Sequence, residues 1–506
     1  MDMSTQSEKL ADALETLHKE AVDQIIRSDR LDRSERELLL RTGFVEQIIR
    51  GWLLVTHPNY PPGATVPWFS AYWAFVSQYL EDRFGSEYCL SAEESVKRHV
   101  ESPVIPRQII VAVKARDNNL ITLLRDTSLL ISHSTDPLPK RSKLNGIQVM
   151  DLAAAICQVT EPFYRNNPND AELALRMIRS ASVLLDYLLQ GNNSVVAGRL
   201  VGAYAFLGNS RMAEEIKAAM EAAGNRLRVT NPFSRPEPML SGSLRITSPH
   251  VARIQGLWKS MRNDVIEIFS EIPEREIAAS DYMAEVDTRY VADAYNSLSI
   301  EGYRVTPDLI DRVRAQTWDT ESNDEDGQQR DALAARGYYL AFQSVKSSVA
   351  RILEGENTAD VIEHDFQGWY RELFSPSVVA GILEARQLLG YRNNPVYLRG
   401  SRYVPPHVDA VTDCMEAFFE LLRQESEPVV RAVLGHFIFV YIHPYSDGNG
   451  RLGRFLMNAG FASGRYSWTV VRNSRRDVYL KALEEASINH NIRPLAVFVA
   501  EEMLAA

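Results

Sequence analysis

Between Phe439 and Asn458 the chain reads FVYIHPYSDGNGRLGRFLMN, a run that leaves few local folds open. An apolar helix has to stop at His443, because a proline disfavours helical geometry in the residue ahead of it. The turn YSDGNG follows, and a second helix is expected to begin near Arg451. Gly448 and Gly450 let that turn bend tightly with its N–H groups inward, and a helix N-terminus behind such a turn is an anion site. Arg451 and Arg454 are three apart and share one face of the second helix, close to the anion. Asp447 adds a hard carboxylate of the kind Mg²⁺ accepts while keeping several waters. His443 is the neutral-pH base of the stretch, and the end of a helix is expected to favour its protonated form. A base, a metal carboxylate, a backbone cradle and two guanidinium groups suit phosphoryl or nucleotidyl transfer, where catalysis is mostly positioning and charge neutralisation.

The rest of the composition narrows the setting. At 506 residues the chain is long for one core, so two or more domains are expected. A formal net charge of −11 excludes general coating of polyanions, although a local basic site is compatible with it. Cys89, Cys157 and Cys414 are far apart and form no CxxC pair, which excludes a disulfide framework or a zinc cluster and fits a reducing compartment. The first twenty residues are polar with no apolar signal core, and FIFVYI at 437–442 is too short to span a bilayer. A soluble, cytoplasmic protein without membrane contact is the expectation.

Along the chain, leucine and isoleucine recur at helical spacing over 8–50, ahead of a strand in GWLLVTHP at 51–58. Helices are predicted over 68–84 and 173–189, and a strand over 108–113, making 1–230 a mixed α/β region. Four prolines, a glycine and four serines in 231–249 read as a linker. Beyond it helices dominate: Val251 to about Ile272, Tyr282–Glu301 and Asp331–Leu353, with a solvated acidic loop at 319–328. VYLRGSRYV at 396–404 is the one strand-like segment of the second half. The fold class expected is mainly α, with a helical segment at 250–355 and a catalytic core at 356–506.

The run from His443 to Arg454 resembles the Fic family signature, HPFx[D/E]GNGRxxR, with Tyr445 in place of Phe as the one departure. VYLRGSRYVPP at 396–406 is similar to the family's β-hairpin flap, and DVYLKALEEAS at 477–487 to its downstream helix. The resemblance implies an all-helical Fic domain that uses ATP and Mg²⁺ to move AMP onto a Ser, Thr or Tyr hydroxyl of a target protein. His443 would deprotonate the hydroxyl, and Asp447 would hold Mg²⁺. Asn449 and the N–H groups at Gly448 and Gly450 would hold the α-phosphate, Arg451 the β-phosphate and Arg454 the γ-phosphate. Tyr479 would contact the base, or else serve as plain core. Val396 and Leu398 would pin the target backbone by strand addition, or else pack an ordinary hairpin.

Upstream, DAYNSLSIEGYRVT places Ser297 and Glu301 on one helix face, with Gly302 expected as a left-handed cap. A carboxylate in a last helical turn meets the negative end of the dipole, so another contact should hold it there. The string is similar to the family's inhibitory motif, [S/T]xxxE[G/N], which implies pairing of Glu301 with Arg454 and a blocked γ-phosphate pose within the same chain.

The first half carries no catalytic motif. Residues 24–58 read as a possible winged-helix module with Gly43 in the turn of a helix-turn-helix, and they resemble the start of AbiEi-type regulators. Six arginines against five acids there fall short of a DNA-binding stripe, so protein docking or scaffolding is the alternative. Three functional classes remain at this level. They are an adenylyltransferase held off by Glu301, a hydrolase that removes AMP through the same pocket, and a DNA- or partner-binding regulator with a Fic sensor. Self-modification and homo-oligomers are compatible with all three.

Overall fold

The computed structural model describes residues 3–190, 193–240, 246, 248–315 and 326–505. The chain forms two compact units, Met1–Pro249 with Tyr397–Val404, and His250–Val396 with Pro405–Ala506.

The first unit opens with α1 (Met3–Glu20), β1 (Ile25–Arg27), α2 (Arg33–Thr42), β2 (Val45–Ile49) and β3 (Trp52–Val55). A capping box between Asp32 and Glu35 starts α2. Gly43 then leads from helix to strand rather than from helix to helix, so the second helix expected over 45–50 is β2. VEQII pairs antiparallel with β3, Gln47 opposite Leu53, and β1 joins on the other side to complete a sheet of order β1-β3-β2. Helical spacing over 8–50 misled because a short strand with apolar ends also satisfies it.

Next come α3 (Val66–Phe84), β4 (Tyr88–Leu90), α4 (Ala92–His99), β5 (Gln108–Val113), β6 (Asn119–Thr122) and β7 (Ser128–His133). The sheet runs β4-β5-β7-β6, parallel between β5 and β7 and antiparallel elsewhere. Ile109, Val111 and Val113 alternate inward along β5 and meet the fully buried Trp68, Tyr72 and Phe75 of α3. A hairpin, β8 (Arg141–Leu144) and β9 (Ile147–Met150), precedes six helices. These are α5 (Leu152–Gln158), α6 (Glu161–Asn166), α7 (Pro168–Met177), α8 (Ala181–Leu188), α9 (Ser194–Phe206) and α10 (Ser210–Ala222). The single helix expected over 173–189 is therefore two, because Ser180 turns extended and its side chain accepts the Ser182 N–H to start α8.

The proposed linker also differs in its first part. Phe233, Met239 and Leu240 are buried, Phe233 stacks on Phe206, and Arg235 pairs with the fully buried Glu172. Residues 233–240 are packed chain of the first unit; most of 241–247 lies outside the described residues, as does most of the acidic loop at 319–328.

The second unit is helical: α11 (Pro249–Phe269), α12 (Ala279–Ile300), α13 (Pro307–Arg314), α14 (Asp326–Leu353), α15 (Thr358–Val379), α16 (Val411–Gln424), α17 (Pro428–Ile442), α18 (Asn449–Ala462), α19 (Arg476–Asn489) and α20 (Arg493–Leu504). Residues 250–396 and 405–506 belong to this one unit. At its centre α17 is apolar and buried on nearly every side. Helix α18 lies close against it: a Cβ on Gly460 would stand 2.8 Å from Ala432 Cα, and one on Gly453 would stand 2.8 Å from the ring of His436. That close approach fixes the end of α17 relative to the start of α18, where the signature residues sit.

Gly460→Val is expected to force the two helices apart and cost about 1–3 kcal/mol or more, since the obstacle is backbone. Equilibrium denaturation of the variant measures this; an unchanged midpoint would show that the helices yield freely.

Candidate functional site

The site is built at the junction of α17 and α18. His443 caps α17 in the left-handed region, φ 52° and ψ 59°, with Pro444 behind it. Gly448, at φ 85°, is the N-cap of α18, which begins at Asn449, two residues earlier than expected. Tyr445 is buried and stacks on Tyr370 with ring centroids 3.8 Å apart, filling the apolar space assigned to an aromatic there. Asn449 is spent on the turn itself: its Oδ1 accepts the Tyr445 N–H at 3.0 Å and its Nδ2 donates to the Tyr445 carbonyl at 2.7 Å.

Burial pushes the His443 imidazole pKa down to about 4, overriding a contact with the Val440 carbonyl that acts upward, while nearby Arg392 acts downward. The expectation that the helix end would favour protonation is therefore corrected. Loss of water around the cation outweighs a terminal carbonyl. Nδ1 lies 3.3 Å from the Val440 oxygen, which can only accept. The neutral ring thus carries its hydrogen on Nδ1 and leaves the Nε2 lone pair bare, the form a general base needs.

The two signature arginines are buried and differently engaged. Arg454 donates from Nε to Ser297 Oγ at 2.7 Å, and from Nη2 to the Ser297 carbonyl at 3.0 Å and to Glu301 Oε1 at 2.8 Å. Gly302, at φ 87°, closes α12 with its N–H on the Ser299 carbonyl, and the Tyr303 N–H reaches the Leu298 carbonyl. This is the left-handed termination expected, in its Schellman form. The Glu301 carboxylate lies over the first turn of α18, where a Cβ on Gly450 would fall 2.1 Å from Oε1. A carboxylate thus stands against the helix N-terminus, the position of lowest energy for an anion.

Arg451 is held by rings. Its guanidinium lies 5.2 Å from the Tyr303 centroid and 5.1 Å from that of Phe374, and its side chain is 1% exposed. Asp447 approaches Nη2 at 3.2 Å without the alignment of a hydrogen bond, and Nε and Nη2 have no hydrogen-bond partner among the described residues. Buried donors left open in this way call for an anion. Asp447 itself is exposed, and its Oδ1 accepts the Gly448 N–H at 2.6 Å.

Tyr479, on α19, is buried with its hydroxyl 2.7 Å from His436 Nε2, and its side chain also interacts with Arg454. Val396 and Leu398 belong to no hairpin: 396–404 is a turn around Gly400 with a single bridge, Tyr403 to Val104. The carbonyl of Arg402 accepts from the Ile105 N–H and the Val404 N–H donates to the Pro103 carbonyl, at 2.9 and 2.7 Å. The Ser401 N–H closes the turn on the Leu398 carbonyl at 3.2 Å, but the next groups, at 402 and 404, are used on 103–105, so no strand pair extends from it; Tyr397–Val404 is part of the first unit.

Sequence reading missed Tyr303, Phe374, His436 and Arg392. It also missed Asp293, whose carboxyl burial pushes up to about 6 and which accepts the Tyr338 hydroxyl at 2.8 Å one turn before Ser297. Only Tyr303 had a signal, its place directly after the Glu-Gly pair.

The site is thus a helix end carrying a histidine, a glycine turn, and a helix start carrying two buried guanidinium groups. The Fic/DOC family model matches residues 363–459, and the chain contains a Fic domain there. Over 115 residues the chain is 39% identical to "Protein adenylyltransferase Fic" of Nematostella vectensis, which covers 22% of this chain and 26% of that protein. It is 35% identical over 115 residues to the protein of the same name in Drosophila willistoni, 22% of each chain. It is 34% identical over 99 residues to a "Probable protein adenylyltransferase" of Aquifex aeolicus, covering 19% of this chain and 30% of that one. The chain thus spans under a third of the length of these curated relatives. The solved structure of Fic-1 from C. elegans is similar over 66% of this chain and 85% of that one, at 17% identity and a TM-score of 0.37.

The His443 ring is expected to stay neutral on acidification well past the usual imidazole range, because its folded pKa is depressed. An NMR titration of its Cε1–H signal should show little change between pH 8 and 6 and a midpoint near 4. A midpoint near 6.5 would mean the ring is solvated as in a free peptide.

Proposed function

We propose that the chain transfers AMP from ATP to a side-chain hydroxyl of a protein, and that Glu301 holds this activity off. The carrying observation is the Arg454–Glu301 pair set over the N-terminus of α18. A carboxylate there competes with phosphate for the same guanidinium and the same N–H groups. The names of the relatives that match the Fic domain support the chemistry.

In this reading His443 Nε2 takes the proton of the target hydroxyl as its oxygen bonds to the α-phosphorus. The bond from that phosphorus to the bridging oxygen breaks, and pyrophosphate leaves. Arg451, with open donors between two rings, neutralises charge on the β-phosphate, and Arg454 receives the γ-phosphate once Glu301 withdraws. The first turn of α18 holds the α-phosphate through backbone N–H groups, while the Asn449 amide keeps that turn in shape. No cluster of three or more metal-ligating side chains occurs among the described residues. The exposed carboxylate of Asp447 still suits Mg²⁺, which takes most of its ligands from phosphate oxygens and water.

Incubation with α-labelled and γ-labelled ATP tests the reading. Glu301→Gly is expected to raise protein-bound label from the α position at least about tenfold, in line with loss of a charge-assisted contact. His443→Ala in that background should lower it by about 10²–10⁴-fold. Label retained from the γ position would indicate phosphate transfer instead, and an unchanged rate in Glu301→Gly would remove the brake.

A further inference from the structure

We propose that Arg392 is a positioning residue that holds the backbone of His443 in the one conformation that presents its ring as a base. This rests on the reading of His443 given above.

Arg392 follows α15 in sequence and lies far from the signature, yet only 6% of it is exposed. Its guanidinium donates three hydrogen bonds to main-chain oxygens: Nε to His443 at 2.8 Å, Nη1 to Asn394 at 3.1 Å and Nη2 to Pro406 at 2.5 Å. Its own N–H donates to the carbonyl of Pro444 at 2.8 Å. One residue therefore grips two successive carbonyls, 443 and 444, immediately behind the base.

Those carbonyls need holding. His443 lies at φ 52°, where a residue with a Cβ is strained. Pro444 has no N–H with which to bind the turn. A planar fork of donors fixes the directions of several oxygens at once, which a single ammonium cannot do. The guanidinium also places a positive charge beside the ring. The other charged groups acting on the imidazole are Glu301, at the end of α12, and Asp447, in the turn; both favour the protonated form. Arg392 is their counterweight.

The test uses the full chain carrying Glu301→Gly, so that transfer is measurable, with Arg392→Met and Arg392→Lys added singly. Arg392→Met is expected to lower kcat at least tenfold while KM for ATP stays within twofold, because α18 supplies the nucleotide contacts. The acidic limb of its pH–rate profile should move upward, and so should the NMR midpoint of the His443 ring. Arg392→Lys restores the charge without the fork: the midpoint should return toward the parent value while kcat stays low. An NMR midpoint identical in parent and Arg392→Met, or an unchanged kcat, overturns the proposal. So does a fall in kcat matched by KM and melting temperature with the pH profile unmoved, since that is general loosening. The NMR readout needs no turnover. A parent that transfers no α-label therefore defeats the functional reading while the ring titration still decides the role of Arg392.

Discussion

The close approach of α17 and α18 is the constraint on which the site depends. Gly453 and Gly460 remove the side chains that would keep the two backbones apart, since a Cβ at either would fall 2.8 Å from His436 or Ala432. Only in that arrangement does the last residue of an apolar, buried helix face the first turn of its neighbour. The imidazole of His443 and the N–H groups of α18 then belong to one small volume. Packing sets the geometry of the site here, and the hydrogen bonds of Asn449 across the turn keep it.

Charge is distributed over that frame by three buried guanidinium groups with different partners. Arg454 has Ser297 and Glu301, Arg451 has two aromatic rings and a poorly aligned carboxylate, and Arg392 has main-chain oxygens. A buried cation without compensation is costly, so each arrangement says what the residue is for. Arg454 is already satisfied by a carboxylate in the anion position. Arg451 is the one with donors left open. Tyr303 and Glu301 both come from the termination of α12, so the end of one helix touches both signature arginines.

Where sequence patterns misled, tertiary contacts had won over local preference. VEQII at 45–49 fits a helical period but pairs with β3 once Gly43 has ended α2. Residues 173–189 have the pattern of one apolar-faced helix yet break at Ser180, which caps a new helix. VYLRGSRYV at 396–404 has strand composition, and its Arg402 and Val404 backbone groups bond to 103–105 instead of closing a hairpin. Pro and Ser at 231–249 suggested a free linker, but Phe233 and Met239 found a core. The last two depend on partners distant in sequence.

The sequence alone determined the helix–turn–helix at 443–454, the helix bearing Ser297 and Glu301, and its left-handed stop at Gly302. Proline, glycine and capping rules act within a few residues, so local chemistry suffices to read them. Only the tertiary structure decided that burial lowers the His443 pKa, that Arg392 grips the carbonyls behind it, and that Tyr479 lies buried against His436. Solvent exclusion and contacts across 51 residues or more are properties of the folded chain, and no window of sequence contains them.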